Sequence, residues 1–363
     1  MQSIHDLETP AVLIDLDRLE ANVARMAGKA REAGVGLRPH AKTHKVPEIG
    51  RMQMRAGAVG LSFAKTSEAE VFAQHGFEDL FIAYPVVSVS KAERLVALSR
   101  RVRLCVGVDS LEGADILGNV AGSRGATLRV SLKVDCGFHR VGVAPEDAVS
   151  IGSRIAAVRG VSLVGVFTHA GQSYHRAAPA EIQQDNFDEA AIIVAAADGL
   201  RKAGVAIETV SVGSTPTSRF GFAHRGVTEA RPGNYVYLDR TQVGLGTCSF
   251  DECAMSILAT VVSVSGRERA VLDSGSKTLA LDMLRPKPDG YGLVLGTASR
   301  LSALSEEHGI VAVEQDDAFR VGQRVRVLPN HACVVSNLHN RVYGVRGERV
   351  ETVFEVAARG CVD

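Results

Sequence analysis

Through about the first 240 residues, short apolar runs of strand length alternate with stretches of helical period. The runs fall at 35–42, 58–64, 80–84, 102–108, 128–134, 161–168, 207–212 and 234–238. Between them the helical stretches are 67–75, 90–100, 111–121, 145–158 and 179–203. Ahead of them all, 17–33 sets Leu19, Val23, Met26 and Ala30 on one helical face. Near-continuous apolar strands separated by helices predict a parallel sheet covered on both faces. Eight of them in this length fit an α/β fold of the (β/α)8 TIM-like barrel type better than an open sheet. Beyond about residue 250 the pattern changes to short alternating runs at 255–265, 269–273, 310–313, 324–329, 341–345 and 349–356, divided by Gly and charged turns. That pattern predicts a small all-β domain. The strand-like segment 9–15 is expected to pair with it. The predicted division is a barrel at 10–248 and a C-terminal β domain at 249–363 that also takes 1–16.

A chain of 363 residues has room for both parts. Its 41 basic and 41 acidic side chains cancel, which gives no electrostatic reason to expect nucleic acid or an anionic membrane as partner. No apolar run reaches the ~18–20 residues of a membrane span. The first residues lack a basic segment followed by an apolar stretch, so a cytoplasmic protein is expected. The six cysteines, Cys105, Cys136, Cys248, Cys253, Cys333 and Cys361, show no C-x-x-C spacing and read as thiols, not as a disulfide framework.

In such a barrel, chemistry gathers at the C-terminal ends of the strands. The first run ends in Arg38-Pro-His-Ala-Lys-Thr-His-Lys45. Lys42 would lie in the mouth, and the nearby Arg38, His44 and Lys45 would lower its amine pKa and make it fit for Schiff-base chemistry. The same fragment also reads as a basic surface turn. After the fifth run, Arg140 could bind an anionic oxygen or, as a solvated arginine, pair with Asp135. After the sixth, His169 could stack on a planar ring, and Tyr174 could act as donor or proton relay. The stretch Gly213-Ser-Thr-Pro-Thr217 after the seventh run and Arg231-Pro-Gly-Asn-Tyr235 at the eighth suit a phosphate cradle of backbone N–H and hydroxyl donors. In the β domain, His331 and Cys333 would face one side of a strand and could share a metal, with zinc favoured by imidazole plus thiolate.

Together these segments resemble the alanine racemase-like, fold-type III pyridoxal-phosphate enzymes, and among them the D-threonine aldolase / D-serine dehydratase branch. The resemblance runs from about residue 9 to residue 360 and is carried by Thr9-Pro-Ala-Val-Leu-Ile-Asp15, the Arg38–Lys45 cluster, Thr168-His-Ala-Gly, Gly213-Ser-Thr-Pro-Thr, Pro232-Gly-Asn-Tyr-Val and Pro329-Asn-His-Ala-Cys. Asn337-Leu-His and Ala357-Ala-Arg-Gly add to it. It implies Lys42 as the Schiff-base lysine, Arg140 at the cofactor's phenolic oxygen and His169 on its ring. Gly213, Ser214, Thr215, Gly233 and Asn234 would hold the phosphate, with Tyr174 and Tyr235 in the same cofactor-binding set. Arg231 would face the pyridine nitrogen and keep it unprotonated, a weaker electron sink that leaves more work for a metal at His331 and Cys333. The implied cofactors are pyridoxal 5'-phosphate and a divalent metal, zinc first, then manganese or magnesium. The implied activity is a lyase on small D-β-hydroxy amino acids in a homodimer. Cys333 leans toward dehydration to a 2-oxo acid and ammonia; Asn337-Leu-His-Asn leans toward aldol cleavage to glycine and an aldehyde. An amino-acid racemase and a non-catalytic pyridoxal-phosphate carrier are the readings outside this class. The first needs a second base, for which Tyr291 and Tyr343 are candidates by composition only. The extra β domain argues against the second.

Overall fold

The computed structural model describes residues 2–363, which form two compact units. One takes Met26–Lys42, Gly50–Gly233 and Cys361–Asp363; the other takes residues 2–25, Thr43–Ile49 and Asn234–Gly360. The chain therefore passes between units several times, where the sequence reading makes one main cut at 248.

The described residues of the first unit build eight parallel strands: Gly36–Leu37, Leu61–Phe63, Asp79–Ile82, Arg103–Val108, Leu128–Lys133, Val161–Phe167, Thr209–Val212 and Glu229–Ala230. From the second strand on, each pairs with the next, and the last returns to the first through Gly36↔Glu229 and Leu37↔Ala230. A parallel bridge between His40 and Ser62, with Val59 N–H on Leu37 O and Ser62 N–H on Pro39 O, both at 2.8 Å, joins first strand to second and closes the barrel. Leu61, Leu80, Ile82, Val106, Val130, Leu132, Val166 and Val210 are wholly buried. Burial of each such side chain contributes about 1.5–3 kcal/mol. That requirement is why the strands read as unbroken apolar runs. Helices Thr66–Gln74, Val89–Ser99, Leu111–Ser123, Ala148–Ala156 and Pro179–Lys202 fall on the expected stretches, and Leu16–Glu32 on the first one. Ser110 shows how one begins: its hydroxyl accepts the Gly113 N–H and caps the first turn.

The eighth strand is a correction. It is Glu229–Ala230, and the predicted run 234–238 is a 3-10 turn at Asn234–Val236 leading to the short helix Arg240–Gly244. Pro232 has no N–H with which to extend the ladder. Tyr235, Val236, Tyr237 and Leu238 are all buried, and apolar content alone does not separate a buried turn from a buried strand. The helix Pro47–Arg55 was also not read from the sequence.

In the second unit, Met255–Ser265 organises the sheet. It pairs with Ala11–Asp15 and Arg324–Pro329 along its first half and with Arg269–Leu272 along its second, across a bulge between Val261 and Ser263. Arg269–Leu272, Gly309–Ala312, Arg300–Leu304, Gly292–Val294 and Arg324–Pro329 then pair in turn, so six antiparallel strands close on themselves. Ala11–Asp15 also runs parallel to Arg341–Arg346, which hairpins to Arg349–Glu355. The N-terminal strand thus joins this sheet, as expected. No helix among the described residues is long and apolar enough to cross a membrane.

Candidate active site

The C-terminal ends of the barrel strands carry the residues singled out by sequence. Lys42 sits half buried in the 3-10 turn Ala41–Thr43, its backbone N–H on His40 Nδ1 at 3.4 Å. Two cations expected to press on it are engaged elsewhere. Arg38 binds Glu229 at 2.7 Å and Asp79 at 2.6 Å, and Lys45 binds Asn337 at 2.7 Å.

His169 leaves the sixth strand with its Nδ1–H donated to Gly213 O at 3.1 Å, which fixes the tautomer because a carbonyl only accepts. Burial, then the charges of Lys133 and Lys42, holds this imidazole's pKa well below its ordinary value, so the ring is neutral. Phe138 meets it edge-on with ring centroids 6.0 Å apart, and Arg140 lies over Phe138 at 4.8 Å. Arg140 is exposed and not paired with Asp135, whose carboxylate instead accepts the N–H groups of Gly137, Phe138 and His139 and contacts the His139 ring. Tyr174 lies half buried in the turn Gly171–His175, where neighbouring Ser173 reaches Ser214 Oγ at 3.2 Å.

Arg231 is buried. Its guanidinium donates to Thr168 O at 2.5 Å and to Ser211 Oγ, and Ser211 in turn donates to Glu229 at 2.7 Å. Gly213 has φ +133°, and a Cβ there would stand 2.8 Å from Arg231 N, so only glycine lets this loop lie against the last strand. The phosphate cradle differs from its sequence reading. The Gly213 N–H is donated to Glu189 Oε1 at 3.1 Å and the Ser214 N–H to Thr217 Oγ1 at 3.3 Å, so these two backbone donors are used within the protein. Ser214 and Thr215 are buried, and Gly233 is half buried.

Two residues of this mouth escaped the sequence reading. Glu189, 1% exposed, accepts on one oxygen from Thr168 Oγ1 at 2.8 Å and from the N–H groups of Ala170 and Gly213 at 3.1 Å, tying the ends of the sixth and seventh strands together. Its signal was an acid on the buried stripe Ile182, Glu189, Ile193 of Pro179–Lys202. Lys133 closes the apolar fifth strand, 6% exposed, with its Nζ 4.8 Å from the Phe167 ring centroid. Burial and the neighbouring Arg231 push its pKa down to about 7. Its signal was a charge at the end of a largely apolar strand, Leu128–Lys133. The donor set of this unit fits pyridoxal phosphate: a primary amine for the aldehyde, a neutral flat ring, and the cations Arg140 and Arg231 for an anionic ligand.

In the other unit, His331 and Cys333 are not on a strand. Arg324–Pro329 ends at the proline; His331 is the N-cap of helix Ala332–Leu338, and Cys333 lies in its first turn. They still meet: burial opposes a charged imidazole, yet the charge and hydrogen bond of Cys333, with Asp239 and Asp282, raise the His331 pKa to about 9. Asp239 orders the surroundings. It accepts the Ala332 N–H at 3.0 Å and the Asn234 amide at 2.5 Å, and it caps Arg240–Gly244 through Gln242 N–H at 3.0 Å. Thr43 Oγ1 lies 3.2 Å and Asn234 Nδ2 3.9 Å from the Cys333 sulfur. Tyr235 is buried beside Asn234 in the chain. Among the described residues no third His, Cys, Asp or Glu completes a metal-binding group. An imidazole and a thiol held together fit a divalent cation with several open positions.

The comparisons agree with this layout. Residues 14–241 match the alanine racemase N-terminal domain model and residues 254–345 a serine dehydratase domain model. A D-threo-3-hydroxyaspartate dehydratase of Delftia sp. strain HT23 is 37% identical over 90% of this chain and 91% of its own. A D-threonine aldolase of Arthrobacter sp. is 32% identical over 98% of this chain and 93% of its own. A cysteine-to-alanine variant of a D-threo-3-hydroxyaspartate dehydratase, solved in a metal-free form, is 32% identical and superposes with a TM-score of 0.92 over 98% of this chain and 99% of its own.

Proposed function

We propose a function from the premise that this chain belongs to the family joining an alanine racemase-like barrel to a serine dehydratase domain: it is a pyridoxal-phosphate-dependent lyase of D-β-hydroxy amino acids. The observation that supports this best is the barrel mouth, where Lys42, Lys133 and Arg140 lie about neutral His169 and Arg231 is buried beside Lys133. Pyridoxal phosphate, when bound, draws electrons from the substrate's Cα. Lys42 is the residue that holds the group and takes the Cα proton on its amine. His169 presents a neutral ring face, since its Nδ1–H is committed to Gly213 O. Arg231 keeps its protons and serves as a fixed, non-acidic partner, held by Thr168 and Ser211. Arg140 and Tyr174 supply donors at the rim. Gly213, Ser214, Thr215, Gly233, Asn234 and Tyr235 are the residues proposed for the phosphate end. His331 and Cys333 would hold a divalent cation, zinc by donor type, which supplies Lewis-acid chemistry for a hydroxyl leaving group.

Dehydration is the first reading and aldol cleavage the second. The metal-free form of the cysteine variant of a related dehydratase supports a thiolate-held metal; the aldolase relative supports the other outcome. Incubation with D-threonine separates them: 2-oxobutanoate and ammonia mark dehydration, glycine and acetaldehyde mark cleavage, and the formation of neither pair would overturn the proposal. The same reading carries a homodimer, tested by sedimentation, and a reducing, cytoplasmic location, in keeping with six cysteines that form no disulfide among the described residues.

A further inference from the structure

Lys133 has no role in the chemistry above, yet it is the most unusually placed cation of the barrel. It ends the fifth strand with its side chain buried, and its Nζ rests on the Phe167 ring. Arg231 lies over the same ring at 5.2 Å, so two cations share one aromatic surface. Among the described residues no oxygen acceptor is hydrogen-bonded to the Lys133 amine. The charged groups facing it are known from each side. Arg231 comes from beyond the eighth strand, Cys136 and Arg140 from its own loop, Glu189 from Pro179–Lys202, and His169 from the end of the sixth strand. Glu189 is the only carboxylate among them, and one of its oxygens is already shared by Thr168, Ala170 and Gly213. An ammonium on a buried side chain without an acceptor is costly, and such a group holds its proton less firmly until an anion arrives.

We propose that Lys133 is an anion-recognising residue of the barrel mouth, which becomes an ammonium on ligand binding and pairs with an oxyanion of the bound ligand. The step forms one N–H bond with a proton taken from solvent; nothing is oxidised or reduced. The oxyanion has two sources, the phenolate of the cofactor or the carboxylate of the amino acid. The inference rests on the proposed function, which names both.

The sign follows from the lowered pKa. Below about pH 6 the amine is already charged and ligand binding takes up no proton through it; between about pH 7 and 9 binding draws one in. Calorimetry in buffers of different ionisation enthalpy measures this uptake. Apoprotein titrated with pyridoxine 5'-phosphate, which has no aldehyde to react with Lys42, tests the cofactor arm. Holoprotein titrated with D-alanine, which has no β-hydroxyl, tests the substrate arm. In one arm the wild type takes up roughly half a proton or more per site near pH 8, falling toward zero near pH 6. Lys133→Met, which keeps an apolar stem on Phe167, loses that uptake and binds the ligand of that arm about tenfold more weakly. Lys133→Arg, charged at every pH used, loses the uptake and retains the affinity. Equal uptake and affinity in wild type and Lys133→Met, in both arms, would overturn the inference. So would pH-independent uptake in the wild type alone, which stands even if the Met variant does not fold. If the wild type binds no pyridoxal phosphate and develops no imine absorption, the function reading falls and this inference with it.

Discussion

The Glu189 carboxylate is the buried joint most open to a decisive perturbation. One oxygen accepts from Thr168 Oγ1, Ala170 N and Gly213 N, at 2.8, 3.1 and 3.1 Å. Those donors flank His169 on one side and open the 213–217 loop on the other. Glu189→Ala strips the acceptor from three buried donors and leaves a cavity. Each orphaned donor costs about 1–3 kcal/mol, and because they share one acceptor the sum is not additive; roughly 3–5 kcal/mol is expected. For a unit of this size that corresponds to a fall in melting temperature of about 10 °C. Glu189→Gln keeps an oxygen in place but removes the negative charge facing Lys133 and Arg231, so a smaller loss of about 1–2 kcal/mol is expected. Thermal melts followed by circular dichroism give the stability, and titration with pyridoxal phosphate followed by imine absorption gives the affinity. The Ala variant should lose both, and the Gln variant should recover most of the stability. An Ala variant that melts within about 1 °C of wild type and binds the cofactor unchanged would refute the claim that this carboxylate sets the two strand ends.

Three further outcomes are expected. Gly213→Ala puts a Cβ 2.8 Å from Arg231 N at a φ of +133°, which should cost about 1–3 kcal/mol in a denaturant titration and weaken cofactor binding. The His169 pKa is held well below its unfolded value, so the unfolded chain takes up a proton that the fold refuses; stability should fall as pH drops below about 6.5, and His169→Gln should flatten that fall in denaturant midpoints compared across pH. His331→Ala and Cys333→Ala should each lose bound divalent metal by elemental analysis while keeping the imine absorption, which would place metal and cofactor on separate residues.

Much of this was legible because burial writes directly into sequence. The barrel strands are largely apolar, and five helices between them fell where the periodicity put them. The segment 9–15 reads as a strand of the β sheet, and Ala11–Asp15 of it is one. Short elements set by hydrogen bonds, not by burial, were harder. Glu229–Ala230 is two residues long, too short for any period, while the buried run after Pro232 resembled a strand and is a turn. His331 and Cys333 come together at the start of a helix, not on a strand, because the Asp239 carboxylate that accepts the Ala332 N–H lies some ninety positions away in the chain. Loop donors at Gly213 and Ser214 looked available in sequence and are consumed by Glu189 and Thr217. Single buried charges, Lys133 and Glu189, carried a signal as breaks in apolar stripes, but nothing local said what they faced.

The central claim is that this barrel breaks bonds at the β-carbon of D-β-hydroxy amino acids through Lys42. The most direct test incubates the holoprotein, supplied with pyridoxal phosphate and divalent metal, with D- and L-serine and D- and L-threonine separately, followed by chiral analysis of what remains and assay of products. The account predicts consumption of the D enantiomers alone, with 2-oxo acid and ammonia, or glycine and aldehyde, in step with the loss, and no consumption by Lys42→Ala. Appearance of the opposite enantiomer without those products, or equal turnover by Lys42→Ala, would contradict it.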